Sequence, residues 1–109
     1  SWNTSLVISM RYMFRGASSF NGDISSWDTS RVRNMRGMFL DAHSFNGDTS
    51  SWNTSRVRNM SYMFASARSF HQDISSWNVE NVEQHDRMFH RASDFDKEFS
   101  PRFIKQNKK

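Results

Sequence analysis

SWNTSRVRNMSYMFASARSFHQDIS, residues 51–75, decides the fold, because the chain is made of copies of it. Shifted by 25 positions, the same skeleton returns at 1–25, 26–50, 51–75 and 76–100, and residues 101–109 follow as a segment that ends in the basic KQNKK. A fixed period of this size marks stacked units that cannot fold singly. About eight apolar side chains per unit, at roughly 1.5 to 3 kcal/mol each when buried, fall short of the backbone entropy, roughly 1 to 2 kcal/mol per residue. Neighbouring units must supply the balance, so 1–100 reads as a single domain of four repeats and 101–109 as a C-terminal cap and tail.

Comparing the copies separates core from surface. Trp2, Trp27, Trp52 and Trp77 recur, as do Val7, Val32, Val57 and Val82, the Met-Phe pairs Met13-Phe14, Met38-Phe39, Met63-Phe64 and Met88-Phe89, then Ala17, Ala42, Ala67 and Ala92, and Phe20, Phe45, Phe70 and Phe95. Arg15, Leu40, Ala65 and His90 share a position without sharing a character, as solvent-facing sites do. Val32, Met35, Met38, Phe39 and Ala42 fall at i, i+3, i+6, i+7 and i+10, the spacing of one helical face. An Asx column (Asn3, Asp28, Asn53, Asn78) just ahead supplies an N-cap or Asx-turn. The spacing therefore predicts helices near 5–17, 30–42, 55–67 and 80–92.

After each helix comes a turn signal, Asn21-Gly22 and Asn46-Gly47 in the first two copies, and then Asp-Ile-Ser or Asp-Thr-Ser, which reads as a short extended piece. Strands near 23–26, 48–51, 73–76 and 98–100, each separated by a helix, must pair in parallel. The fold class expected is an α/β solenoid of leucine-rich-repeat-like units, curved with its strands inside, because strands stack more closely than helices. The alternative is an all-β solenoid in which RVRNM is a strand.

The pattern W-[DN]-x-S-x-V-x-N-M-x-x-M-F-x-x-A-x-S-F-N-x-D-I-S resembles the 25/26-residue repeat of a domain-of-unknown-function family, found in mycoplasma lipoproteins, bacterial surface proteins and algae. It covers Ser1 to Ser100. The resemblance implies a surface-associated, non-catalytic interaction repeat in an extracellular or cell-surface setting, or in an algal organelle. The chain departs from the pattern at Arg33 and Arg58, where Thr or Ser is expected, and at Gln84-His85, which replaces Asn-Met.

Composition narrows the chemistry. The 109 residues are 36% hydrophobic and 15% aromatic, with no Cys, so no disulfide framework is available. No apolar run is long enough to span a membrane, and the start on Ser1 reads as a processed form or a piece of a longer protein. Phosphate loops, CxxC, HExxH and GxSxG motifs are absent from the sequence. His85 and His90 are poorly spaced to share a metal on a helix. The acidic column Asp23, Asp48, Asp73 and Glu98 offers one carboxylate per repeat where calcium takes six to eight oxygens, and reads as turn capping, with a Trp indole N–H as a further donor. The column Thr4, Thr29, Thr54 raises ice binding, but Val79 breaks it and local turn chemistry explains it. No cofactor and no metal are expected.

Charge is what folding explains least. Fifteen Lys and Arg stand against eleven Asp and Glu, and Arg31, Arg33, Arg56 and Arg58 occupy two matching columns in repeats two and three. On neighbouring helices they would form a ladder in steps of roughly 8 to 10 Å. Leu6 and Ile8 extend the same columns as an apolar end. Most such clusters are solvated faces, yet like charges held in register cost stability, which points to an acidic or sulfated partner. Nucleic acid is not expected, since no exposed aromatic interleaves the basic residues. The preferred function is a non-catalytic scaffold for protein–protein or adhesion-type surface interaction. Glycan or other polyanion binding through the arginine ladder is the alternative, and an enzyme subunit or an ice-binding protein ranks below both. At the ends, repeat four with Phe103 and Ile104 reads as the closing cap, and repeat one as an open or partner-covered face.

Overall fold

The computed structural model of the chain describes residues 3–103. Trp2, Ile104 and the basic KQNKK lie outside the described residues. The expected α/β solenoid is not what the chain forms, and neither is the all-β alternative. Among the described residues the only helix is a single 3-10 turn, Lys97–Phe99, and extended pairing is confined to isolated parallel bridges between Ser9 and Asn34, Asn34 and Asn59, and Asn59 and Gln84. The leucine-rich-repeat description fails with it, since there is neither a helix layer nor a strand layer to curve. The repeats are instead ladders of β-turns, laid one upon the next.

The segments read as helices show why. Within 35–42, Met38 N–H donates to Met35 C=O, Leu40 N–H to Gly37 C=O and Ala42 N–H to Phe39 C=O, at 3.2, 3.1 and 3.0 Å. These are overlapping four-residue turns, and two residues per repeat carry the positive φ that such turns demand at their third position. Tyr12, Gly37, Tyr62 and Arg87 form the first left-handed column, Gly16, Asp41, Ser66 and Arg91 the second, with φ between 52° and 70°. A turn closed from i to i+3 brings its end residues to one side, so Met35 with Met38, and Phe39 with Ala42, face inward together. Val32, Met35, Met38, Phe39 and Ala42 are all fully buried. The burial set expected of a helical face is thus present without the helix.

The remaining backbone groups explain what replaces the helical bonds. In repeat two, the N–H groups of Met35, Gly37, Phe39 and Asp41 donate forward to the C=O groups of Asn59, Ser61, Met63 and Ala65. The C=O groups of Asn34, Arg36, Met38 and Leu40 accept from Met10, Tyr12, Phe14 and Gly16 of the repeat behind. Alternate peptide units therefore point along the stack, C=O backward and N–H forward, and the intervening ones close the local turns. Every buried backbone group must find a partner, and here half of them find it in the next copy. With Arg58 N–H donating to Arg33 C=O, the junction between repeats two and three holds five such bonds, about 5 kcal/mol at roughly 1 kcal/mol net each.

Aromatic rings follow the same axis. Phe14, Phe39, Phe64 and Phe89 stack at 5.3 to 5.8 Å, and Phe20, Phe45, Phe70 and Phe95 at 5.7 to 6.0 Å. Each ring of one column also lies parallel to its neighbour in the other, as with Phe39 and Phe45 at 4.1 Å. Offset parallel rings at these separations add to their area burial. Of the column expected to face solvent, Arg15 and His90 are exposed and Leu40 is half-buried, whereas Ala65 is buried.

The expected strands are turns as well. Asp23, Asp48 and Asp73 accept the amides of Ser25, Ser50 and Ser75, and the next residue but one closes a turn through Trp27 to Ile24, Trp52 to Thr49 and Trp77 to Ile74. An Asx-turn bends the chain where a strand would run straight. At 98–100 the backbone belongs to the 3-10 turn and its exit, capped by Asp96. The Trp52 and Trp77 indoles donate to the Ile24 and Thr49 carbonyls, not to the Asp column.

Candidate functional site

The arginine columns sit where two local devices meet. Asp28 accepts the Ser30 amide and Asn53 the Ser55 amide and hydroxyl, and immediately afterward Val32 closes a turn on Thr29, and Val57 on Thr54. Arg31 and Arg56 occupy the tips of those turns and are exposed. Val32 and Val57 then enter the core, which turns Arg33 and Arg58 outward again. Asp28 is held below the ordinary carboxylate value by the Ser30 hydroxyl first, then by the Ser30 amide, and in lesser part by the Arg31 charge.

The register differs from expectation. Arg33 N–H donates to Ile8 C=O, Arg58 to Arg33 and Glu83 to Arg58, at 2.7, 2.8 and 2.7 Å. Ile8, Arg33, Arg58 and Glu83 are thus consecutive rungs of a parallel hydrogen-bonded row, with a step near 4.8 Å in place of the helix spacing. Leu6, Arg31, Arg56 and Asn81 form the row beside it. Leu6 is 75% exposed and Ile8 58%. Arg58 reaches Glu83 at 3.7 Å, and Asn81 donates its side-chain amide to Ser55 C=O. Arg33 and Arg56 have no ion-pair partner among the described residues. Between the rungs lie a recess of about 240 Å³ lined by Arg33, Arg56, Arg58 and Asn81, and a second of about 220 Å³ between Arg31 and Arg56.

Other candidate residues are committed to the fold. Thr4, Thr29 and Thr54 are buried, and their hydroxyls donate to Asp28, Asn53 and Asn78 carbonyls of the following repeat. They staple repeats together and do not face a surface ligand. Asp23, Asp48 and Asp73 are held below their ordinary value by the hydroxyls and amides of Ser25, Ser50 and Ser75. A cavity of about 500 Å³ at the first repeat is lined by Phe14, Phe20, Ile24, Trp27 and the carboxylates Asp23 and Asp28. Sequence reasoning set Arg36 among the exposed charges and missed its contacts: it is half-buried, donates from Nε to the Tyr12 hydroxyl at 2.8 Å and lies 5.0 Å over the Tyr62 ring. Tyrosines two repeats apart in one column were the available signal.

A family model described as Mycoplasma protein of unknown function, DUF285, matches residues 1–102. The chain belongs to that family. No curated protein and no solved structure matches it. No helix among the described residues is long and apolar enough to cross a membrane.

Proposed function

We propose that the protein is a non-catalytic binding module whose contact surface is the double row Leu6, Arg31, Arg56 and Ile8, Arg33, Arg58. The observation that supports this most is the pairing of register with exposure. The main chain fixes four guanidinium-bearing side chains in adjacent rungs, and among the described residues only Arg58 has an acidic neighbour at ion-pair distance. Like charges this close repel, and an anionic partner relieves that cost. Each guanidinium offers a planar fork to a carboxylate or sulfate, and the apolar Leu6 and Ile8 give the mixed character of a protein interface. The partner favoured is an acidic stretch of another protein in a surface assembly, and the setting proposed is extracellular or at the cell surface, which rests on the resemblance to surface-protein repeats. A sulfated glycan is the second reading, favoured by recesses of a size to take a single anionic group.

Replacing Arg31, Arg33, Arg56 and Arg58 together by Ser leaves every inter-repeat backbone hydrogen bond in place and removes only the exposed Arg58–Glu83 ion pair. Retention on immobilised polyglutamate and on a sulfated glycan should then fall to the level of a neutral matrix, with unchanged thermal unfolding. Stronger loss on polyglutamate supports the protein partner, and stronger loss on the glycan the second reading. Unchanged salt-dependent retention on both would overturn the assignment.

A further inference from the structure

The second left-handed column reads Gly16, Asp41, Ser66 and Arg91, and two residues further on the repeats place Ser18, His43, Arg68 and Ser93. The main chain holds these positions in register, because Asp41 N–H donates to Ala65 C=O at 2.9 Å, Ser66 N–H to His90 C=O at 2.7 Å and Asp94 N–H to Arg68 C=O at 3.2 Å. Side chains far apart in sequence are thereby brought to one spot. His43 of repeat two, Ser66 and Arg68 of repeat three and Arg91 of repeat four line a recess of about 340 Å³. It shares no residue with the arginine rows, and along each of repeats two and three the turn ladder, with its buried Met38-Phe39 or Met63-Phe64 pair, separates the two.

Every side chain of that lining can donate a hydrogen bond, and among the described residues none has a protein partner. Others of their kind are engaged. The Ser25, Ser55 and Ser75 hydroxyls donate to the Asx side chain two residues before them, and a His71 ring nitrogen lies 2.7 Å from the Asp94 carbonyl oxygen. The Ser66 hydroxyl and the His43 ring, by contrast, are half-buried without a bond, which costs a polar group part of its hydration for no return. Arg68 and Arg91 are exposed, and neither Asp41, one rung behind Ser66, nor Asp94 comes within ion-pair distance of them. Arg91 also stands at φ 59° in the column where repeat one has Gly16, so a long cation is kept where glycine is the unstrained choice. Two guanidinium groups, a hydroxyl and an imidazole, with no carboxylate among them, converge on one space.

We infer that this recess binds the phosphate monoester group of a small molecule. Two guanidinium groups match the charge of a phosphate dianion, and each offers a planar fork to a pair of its oxygens. The Ser66 hydroxyl and a His43 N–H donate to the remaining oxygen positions. The recess is larger than those of about 240 and 220 Å³ between the arginine rows, which leaves room for the group that carries the ester. The site stands apart from the proposed contact surface and does not depend on it.

Titration of the full chain in phosphate-free buffer, followed by NMR, tests this with glucose 6-phosphate, inorganic phosphate and inorganic sulfate as probes. Glucose 6-phosphate should shift the Ser66 and Arg68 amide signals and the His43 and Arg91 side-chain signals along one saturable curve, and should bind more tightly than either inorganic ion. Arg91→Gly removes the guanidinium and the left-handed strain together, so the melting temperature should hold or rise while binding weakens about tenfold, the order of one charge-assisted hydrogen bond. Arg68→Ser should weaken it to a similar degree. The chain with Arg31, Arg33, Arg56 and Arg58 all replaced by Ser should bind the ester unchanged, which keeps this site distinct from the contact surface whatever becomes of that surface. Absence of saturable shifts at the four residues, undiminished binding by Arg91→Gly, or loss of binding in the fourfold variant would overturn the inference. Equal affinity for all three probes would also overturn it, as the mark of an adventitious ion only.

Discussion

Gly37 carries more of the fold than its size suggests. It holds the left-handed position of the first turn column with φ 59°, and the Tyr12 ring of the preceding repeat lies directly over it, so a Cβ there would collide with that ring. Gly16 holds the second left-handed column with φ 70° and open space around it. Left-handed backbone costs a residue with a Cβ roughly 1 to 2 kcal/mol. Gly16→Ala should therefore lose about 1 kcal/mol in denaturant unfolding, and Gly37→Ala more, because the Tyr12 ring must also shift and its hydroxyl give up the hydrogen bond from Arg36 Nε. Equal losses would show that the ring is not packed as described. Thr49 is the contrasting residue. It stands in the column of Ile24 and Ile74, and its buried hydroxyl has no hydrogen-bond partner, a local cost that the repeat tolerates.

At the scale of one turn ladder, the Asx-turns set the response to acid. Asp23, Asp28, Asp48 and Asp73 each lie below the ordinary value of 3.8 in the folded chain, chiefly through the serine hydroxyl two residues on, then through its amide. A depressed folded value means that the unfolded chain binds protons first as pH falls. The stabilisation is complete above about pH 4 and is lost as pH drops through the lower folded values. Thermal unfolding should be flat from neutral pH to that point and fall below it. Replacing Ser25, Ser50 and Ser75 by Ala should flatten the fall, and an undiminished acid slope in that variant would contradict the assignment.

This same scale shows what the sequence could and could not reveal. The period, the core columns and the exposure of the arginines were legible, because burial repeats every 25 residues whatever the backbone does. The backbone was not, because Met35, Met38, Phe39 and Ala42 have the same spacing on a helix and on overlapping four-residue turns. The discriminating signals were small. Gly16 and Gly37 fall inside the expected helices at the left-handed columns, and Asn34 and Asn59 begin Asx-turns on Arg36 and Ser61 where a helix would need none. Tyr62, Arg87, Ser66 and Arg91 adopt the same left-handed conformation without being glycine, which local propensity argues against. The inter-repeat bonds outweigh it. For the same reason the arginines align in columns, as the repeat period requires, but at a shorter step than helices would give, since the spacing belongs to the backbone.

Across the whole molecule the stack has one direction, set by alternate peptide units that hand their N–H groups to the following repeat. Cooperativity follows from that, since each amide in such a chain polarises the next and a repeat stripped of its neighbours loses half its backbone partners. Scalar coupling across hydrogen bonds in an isotope-labelled sample tests this most directly. The Phe39 amide nitrogen should couple to the carbonyl carbon of Met63, and the Phe64 nitrogen to that of Met88, as their 2.8 and 2.9 Å bonds require. Coupling of Phe39 to Met35 within its own repeat, the partner an α-helix would give it, would contradict the account.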